Sequence, residues 1–188
     1  MNLPALSKPL SDQDLPTRKQ LTRLFNGPTG RKIVHEAGHA LMAAKFAAQP
    51  TFTLAQSRKH PERPHDINMA LDPYYLSRFR YGGRYEDEMK GIREPLCLLG
   101  GVAAEQYLYP GCEVMDYADL ARAKGLLERR GYSATRADID QYLKHVKAEF
   151  QTLQGEALLA DLMMGLILAY RQHRVVPRAV ITGIENLN

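Results

Sequence analysis

Cysteine is scarce in this chain: there are two among 188 residues, Cys97 and Cys112. Two thiols cannot build a disulfide framework. The N-terminal run MNLPALSKPLSDQDLPTRKQ has prolines but no apolar stretch of secretory type. A reducing, cytoplasmic setting is therefore expected. Blocks of like charge are missing as well. The formal net charge is +4, but the basic residues are scattered, so no nucleic-acid partner is indicated. The most apolar run, ALLADLMMGLILAY at 157–170, is too short to span a membrane and carries Asp161. It reads as a core helix. No GxxxxGK[ST] is present, which excludes a phosphate-cradling ATPase loop of that type. There is no internal repeat and no low-complexity tract.

What is there is enough for a single domain with a real core. Hydrophobic residues make up 45% and charged residues 24%, ordinary values for a globular protein. Residues 1–17 read as a flexible lead, and 18–188 as one domain. NGPTG at 26–30 is a turn, and Thr29 is a candidate cap for the helix that follows. That helix keeps Ile33, Ala37, Ala40, Leu41, Ala44 and Ala48 on one face, and Pro50 ends it. TFTLAQ at 51–56 alternates as a strand does, and INMALDP at 67–73 is a second strand. The polar run SRKHPERPHD between them is a loop. Helical patterns follow from Glu86 to about Tyr109, from Asp116 to Arg130, over 136–153 behind a Thr135 cap, and from Glu156 to His173. Gly131 stops the second of these, and Pro177 opens a last short helix. The expected fold class is mainly α with a small β-sheet.

The run RKIVHEAGHALMAAKF, 31–46, holds His35, Glu36 and His39. On a helix, residues i and i+4 lie on one face, about 40° apart around the axis. Two imidazoles so placed can reach one zinc ion with nitrogens at roughly 2.0–2.1 Å. Glu36, next to the first histidine, points beside the metal rather than onto it. From there it can take a proton from a metal-bound water, whose pKa zinc lowers to about 7. Chance also produces the bare pattern. The helical context and the small neighbours Ala37, Gly38 and Ala40 raise its weight. Gly38 costs about 1 kcal/mol in a helix interior relative to alanine, a cost that points to close approach of another helix or of substrate.

A catalytic zinc needs a third protein ligand and one open position. Asp119 sits in the first turn of a predicted helix, where the helix dipole stabilises a carboxylate. Asp116, three residues earlier, suits an N-cap. Glu105 is a further option, near the end of its own helix. His60 and His65 lie in the proline-rich loop and read more readily as solvated side chains. Cys112 is near the right segment, although a hydrolytic site seldom needs a thiolate. Cys97 falls in an apolar helix and reads as core.

HEAGHAL resembles the zinc motif of the FtsH-type proteases, the AAA-linked metallopeptidases. The resemblance continues in LCLLGGVAAEQYLYPGCEV, 96–114, where a Gly-Gly pair leads into Ala-Glu, and in DYADLARAKGLLERRGY, 116–132, around an Asp-Leu pair. The three blocks stand in family order. The sequence departs from the family in having Val102 where an arginine usually follows Gly-Gly, and in contracting the run before the aspartate to MDYA. The ATPase domain and membrane helix are not in it.

The resemblance implies a zincin-like helical metallopeptidase domain of FtsH type, without its own motor. It makes Asp119 the third zinc ligand beside His35 and His39, with one Zn2+ per chain. Glu36 becomes the catalytic base, and Glu105 an acid that orients a histidine from behind. It also implies an extended peptide substrate laid along a sheet edge, for which Asn68, Met69, Ala70 and Leu71 are the candidates. The activity so implied is metalloendopeptidase cleavage of extended or unfolded protein segments. A separate ATPase or adaptor is the partner that a motorless peptidase would use. The alternative from another class is a zinc-stapled interaction module that binds protein without cutting it. Zinc hydrolysis of a non-peptide amide is a further enzymatic alternative.

Overall fold

The computed structural model describes residues 16–45, 52–56, 67–71, 91–112 and 117–172. Six helices account for most of them: α1 Arg18–Leu24, α2 Pro28–Lys45, α3 Arg93–Leu108, α4 Tyr117–Arg129, α5 Arg136–Phe150 and α6 Leu153–Gln172. Two short strands, β1 Phe52–Gln56 and β2 Ile67–Leu71, fall between α2 and α3.

Local chemistry sets the helix ends. Thr17 caps α1, and Gln20 returns the bond to the Thr17 backbone. Thr135 and Asp138 do the same for α5. Gly131, at φ 80°, takes the left-handed conformation that closes α4. The start of α2 differs from expectation. Thr29 is not its cap, because the helix already begins at Pro28. A proline's fixed φ suits the first helical position, and its missing N–H would have no partner there.

Helix α3 is the axis of the body. Only Arg93 and Gln106 of its residues escape burial, so it is apolar all round, as a central helix must be. Helix α2 lies along it, α4 and α5 pack against it, α1 touches one end, and α6 covers α2 and α5. Ile33, Leu41, Leu96, Leu99, Phe150, Met163 and Ile167 meet in the single core between them. Two glycines let α2 and α3 approach to backbone contact. A β-carbon on Gly38 would lie 2.2 Å from the Gly100 carbonyl oxygen and 2.6 Å from the Ala104 β-carbon. Gly38 therefore serves the approach of another helix.

The expected fold class, a helical domain with a small β-sheet, is corrected. Apart from the two short strands, the described body is 82% helical, six helices with no strand packed among them. β1 and β2 do pair antiparallel, Phe52 opposite Leu71 and Gln56 opposite Ile67, but two strands form a hairpin ladder rather than a layer. The body is helical because α3 offers apolar surface on every side and helices cover it.

Other expectations move. The helix expected from Glu86 begins at Arg93, with 72–90 outside the described residues. The expected lead ends sooner than residue 17, since Thr17 is already a helix cap. Pro50, the 57–66 loop with His60 and His65, Asp116 and the helix expected at Pro177 also lie outside them. Among the described residues no helix is long and apolar enough to cross a membrane.

Candidate metal centre

His35 and His39 stand one turn apart on the face of α2 that meets α3. Asp119 reaches the same point from the first turn of α4. All three are buried, at 5%, 7% and 9% exposure. The Nε2 of His35 lies 3.0 Å from Asp119 Oδ2, and the Nε2 of His39 lies 3.1 Å from the same oxygen. The rings meet edge to face, at 87°. The potential ligand atoms all fall within 4.8 Å of one another.

This donor set fits zinc. Tetrahedral ligation at roughly 2.0–2.1 Å places ligand atoms roughly 3.3–3.4 Å apart. The two nitrogen–oxygen separations, 3.0 and 3.1 Å, are a few tenths of an ångström shorter, as suits atoms now joined by hydrogen bonds. A small expansion would admit the ion. Two nitrogens and one carboxylate oxygen leave a fourth position, the number a catalytic zinc requires.

The groups behind the histidines fix which nitrogen faces inward. His35 Nδ1 donates to Glu105 Oε1 at 2.7 Å. His39 Nδ1 donates to the Cys97 carbonyl oxygen at 2.7 Å. Each outer nitrogen thus carries a proton and is committed outward, so Nε2 is the ring nitrogen turned toward Asp119, where it hydrogen-bonds Oδ2 without metal and would face an ion once its proton is given up. Arg31 Nη2 in turn holds the other oxygen of Glu105 at 3.0 Å. Glu105 is 1% exposed, and this bond balances its buried charge.

Gly101 completes the floor. A β-carbon there would lie 2.7 Å from the Nε2 of both histidines. Any side chain at this position would occupy the space that an ion between these nitrogens would need. The two adjacent glycines thus do different work: Gly100 admits the backbone of α2, and Gly101 leaves room beneath the imidazoles.

Electrostatics follow from this crowding. Burial alone would lower the His35 pKa, but hydrogen bonds to Asp119 and Glu105 and the nearby Glu36 charge outweigh it, lifting it to about 10. Burial alone would raise Asp119, yet the bonds from His35 and His39 hold it well below the usual carboxylate range. Glu36 is half-buried. Burial pushes its carboxyl up, against the pull of both histidine charges. It makes no hydrogen bond or ion pair among the described residues.

Of the other candidates, Cys112 is exposed and outside the cluster. Burial pushes the Cys97 thiol well above its usual range, so this residue contributes its carbonyl and not its sulfur. Asn68, Met69, Ala70 and Leu71 lie on β2, which contacts α2. Gly101, Arg31 and the Cys97 carbonyl join the site only in the structure. The Gly-Gly pair is the one signal for them in the sequence, and a motif does not say that its second glycine supplies space.

No family model, no curated protein and no solved structure matches the chain.

Proposed function

We propose that the protein is a zinc-dependent metalloendopeptidase acting on extended protein segments. One observation carries the reading. The ligand atoms of His35, His39 and Asp119 converge within 4.8 Å, and a half-buried acid close to both histidine charges, Glu36, adjoins the first of them. A purely structural zinc site has no use for such a carboxylate. The resemblance of the three sequence blocks to the FtsH-type peptidases supports the same conclusion.

Zinc, when bound, would make a water acidic and polarise the scissile carbonyl. The chain's own residues do the rest. Glu36 accepts a proton from the attacking water and returns it to the departing amine. Glu105 and the Cys97 carbonyl hold the imidazoles in one orientation throughout. Strand β2 is bonded to β1 on one side, and Asn68–Leu71 would pair with substrate backbone on the other. A separate ATPase or adaptor would deliver folded substrates. Cys97 and Cys112 are both unpaired, which fits the reducing, cytoplasmic setting proposed here.

The competing reading is a zinc-stapled interaction module that does not cut. The deep burial of both histidines favours it, and Glu36 opposes it. The test is cleavage of an unstructured protein such as casein, with zinc and without ATP, by wild type and by Glu36→Gln. Peptidase activity predicts cleavage by wild type alone, with zinc bound by both. Zinc binding without cleavage, even with extended peptides at high concentration, would favour the module.

A further inference from the structure

Helix α4 carries two exposed arginines, Arg122 and Arg129, two turns apart on one face. Gly125 stands between them. Glycine inside a helix costs about 1 kcal/mol relative to alanine, and packing does not require it here. The closest atom a β-carbon would meet is Arg129 Nη1, at 3.5 Å. The glycine therefore forms a notch over which the Arg129 guanidinium folds back toward Arg122.

The notch opens into a cavity of about 350 Å³, lined by Glu94, Ala121, Arg122, Gly125, Leu126 and Arg129. This is the small end of the range for ligand pockets, with room for a side chain rather than a folded partner. Its charge is unbalanced. Arg129 makes no hydrogen bond or ion pair among the described residues. Glu94, the carboxylate in the lining, is engaged by Arg130. Glu128, the next acid on α4, faces Lys124. Arg122 ties the cavity to the metal centre, with Nη1 3.8 Å from Asp119 Oδ1, the oxygen turned away from the histidines.

We propose that Arg122 and Arg129 form a subsite for a carboxylate of the substrate chain, so that the enzyme prefers peptides with an acidic residue near the scissile bond. The inference rests on the peptidase reading and deepens it. Guanidinium forks match carboxylates in planar, bidentate fashion. Two cations in one notch are too few for a nucleic-acid track, which needs a stripe of them.

The test separates binding from cutting. Zinc-loaded Glu36→Gln is titrated with a fluorescent peptide containing glutamates, and with its twin carrying glutamine at those positions. Binding is read by anisotropy. The acidic peptide should bind about tenfold more tightly, as a charge-assisted pair allows, and high salt should erode the difference. Arg129→Gln should remove most of the preference. It is the cleaner variant because Arg122 also faces a proposed metal ligand, and both arginines are exposed, so the fold should survive. Equal binding of the two peptides, or a preference that survives Arg122→Gln/Arg129→Gln, would overturn the subsite. Failure of zinc-loaded wild type to cut either peptide would instead sink the peptidase reading, and would leave the binding comparison intact.

Discussion

Gly38 and Gly100 face each other across the crossing of α2 and α3. A β-carbon on either would fall 2.2 Å or 2.5 Å from the other's carbonyl oxygen. The obstacle is backbone in both directions, so no rotamer change relieves it. This crossing brings the histidine face of α2 down onto Gly101 and the Cys97 carbonyl. The candidate metal cluster and the helix contact are thus one packing event.

Gly38→Ala should therefore destabilise the fold, even though alanine is the better helix former by about 1 kcal/mol. Overpacking of this kind typically costs about 1–3 kcal/mol. Urea unfolding should show the loss as a lower midpoint at unchanged slope. Gly125→Ala is the internal comparison. The nearest atom there is a flexible side-chain end at 3.5 Å, so the same exchange should stabilise by up to about 1 kcal/mol. Similar changes of the same sign at both positions would refute the backbone-contact account.

Gly101→Ala should act on the metal rather than on the fold's overall packing. Its β-carbon would stand 2.7 Å from both Nε2 atoms, closer than a carbon and a nitrogen can rest. The imidazoles must turn away or the helices must part. Zinc affinity should fall by more than the roughly 10–100-fold typical when an outer partner of a ligand is lost. Competition against a chromophoric chelator measures this directly. Unchanged affinity would show that the ion does not sit between these nitrogens.

Glu105→Gln keeps the shape of the side chain and removes its charge. The amide oxygen can still accept from His35 Nδ1, but the carboxylate that Arg31 and His35 share is gone. Zinc affinity should drop about 10–100-fold, with helix content retained. Arg31→Gln should fall in the same direction by less, because it reaches the metal only through Glu105. An Arg31→Gln effect larger than that of Glu105→Gln would mean that Arg31 acts by another route.

The sequence makes one part of this site legible and hides the rest, for a physical reason. His35, Glu36 and His39 are readable because helical spacing is local. Asp119 joins them from 80 positions away, and among several downstream acids only a resemblance to a family picked it out. The Cys97 carbonyl could not be found, since every residue has one and only the fold says which is aimed at an imidazole. Gly101 was visible as a glycine, but its purpose is an absence of atoms, which appears only once both histidines are placed. In the fold, alternation points to the strands β1 and β2, but it cannot say that the pair stays a two-stranded ladder rather than a sheet that shapes the helical body. The capping box of α1, Thr17 with Gln20, does not reveal its helix, because seven residues carry too little periodicity to announce one.

The metal-free and zinc-loaded proteins should respond to pH in opposite senses. Without metal, Asp119 has a folded pKa below its ordinary 3.8, so its stabilisation is present above that value and is lost as pH falls through the lower one. His35 is raised from 6.5 to about 10, so its stabilisation is complete below 6.5 and drains away as pH climbs toward 10. Both contributions are in force between 3.8 and 6.5. Glu36, raised from 4.5 by burial, tilts the optimum toward the acid end of that window. Zinc needs the His35 Nε2 lone pair and must displace its proton, so affinity should strengthen about tenfold per pH unit for each proton released. Thermal melts with and without zinc should then diverge steadily from about pH 5 to about pH 8. The metal-free midpoint should fall across that range, and the midpoint gain from zinc should widen. A zinc gain that stays constant across these pH values would mean that no histidine proton is exchanged for the metal, and His35 would lose its place as a ligand.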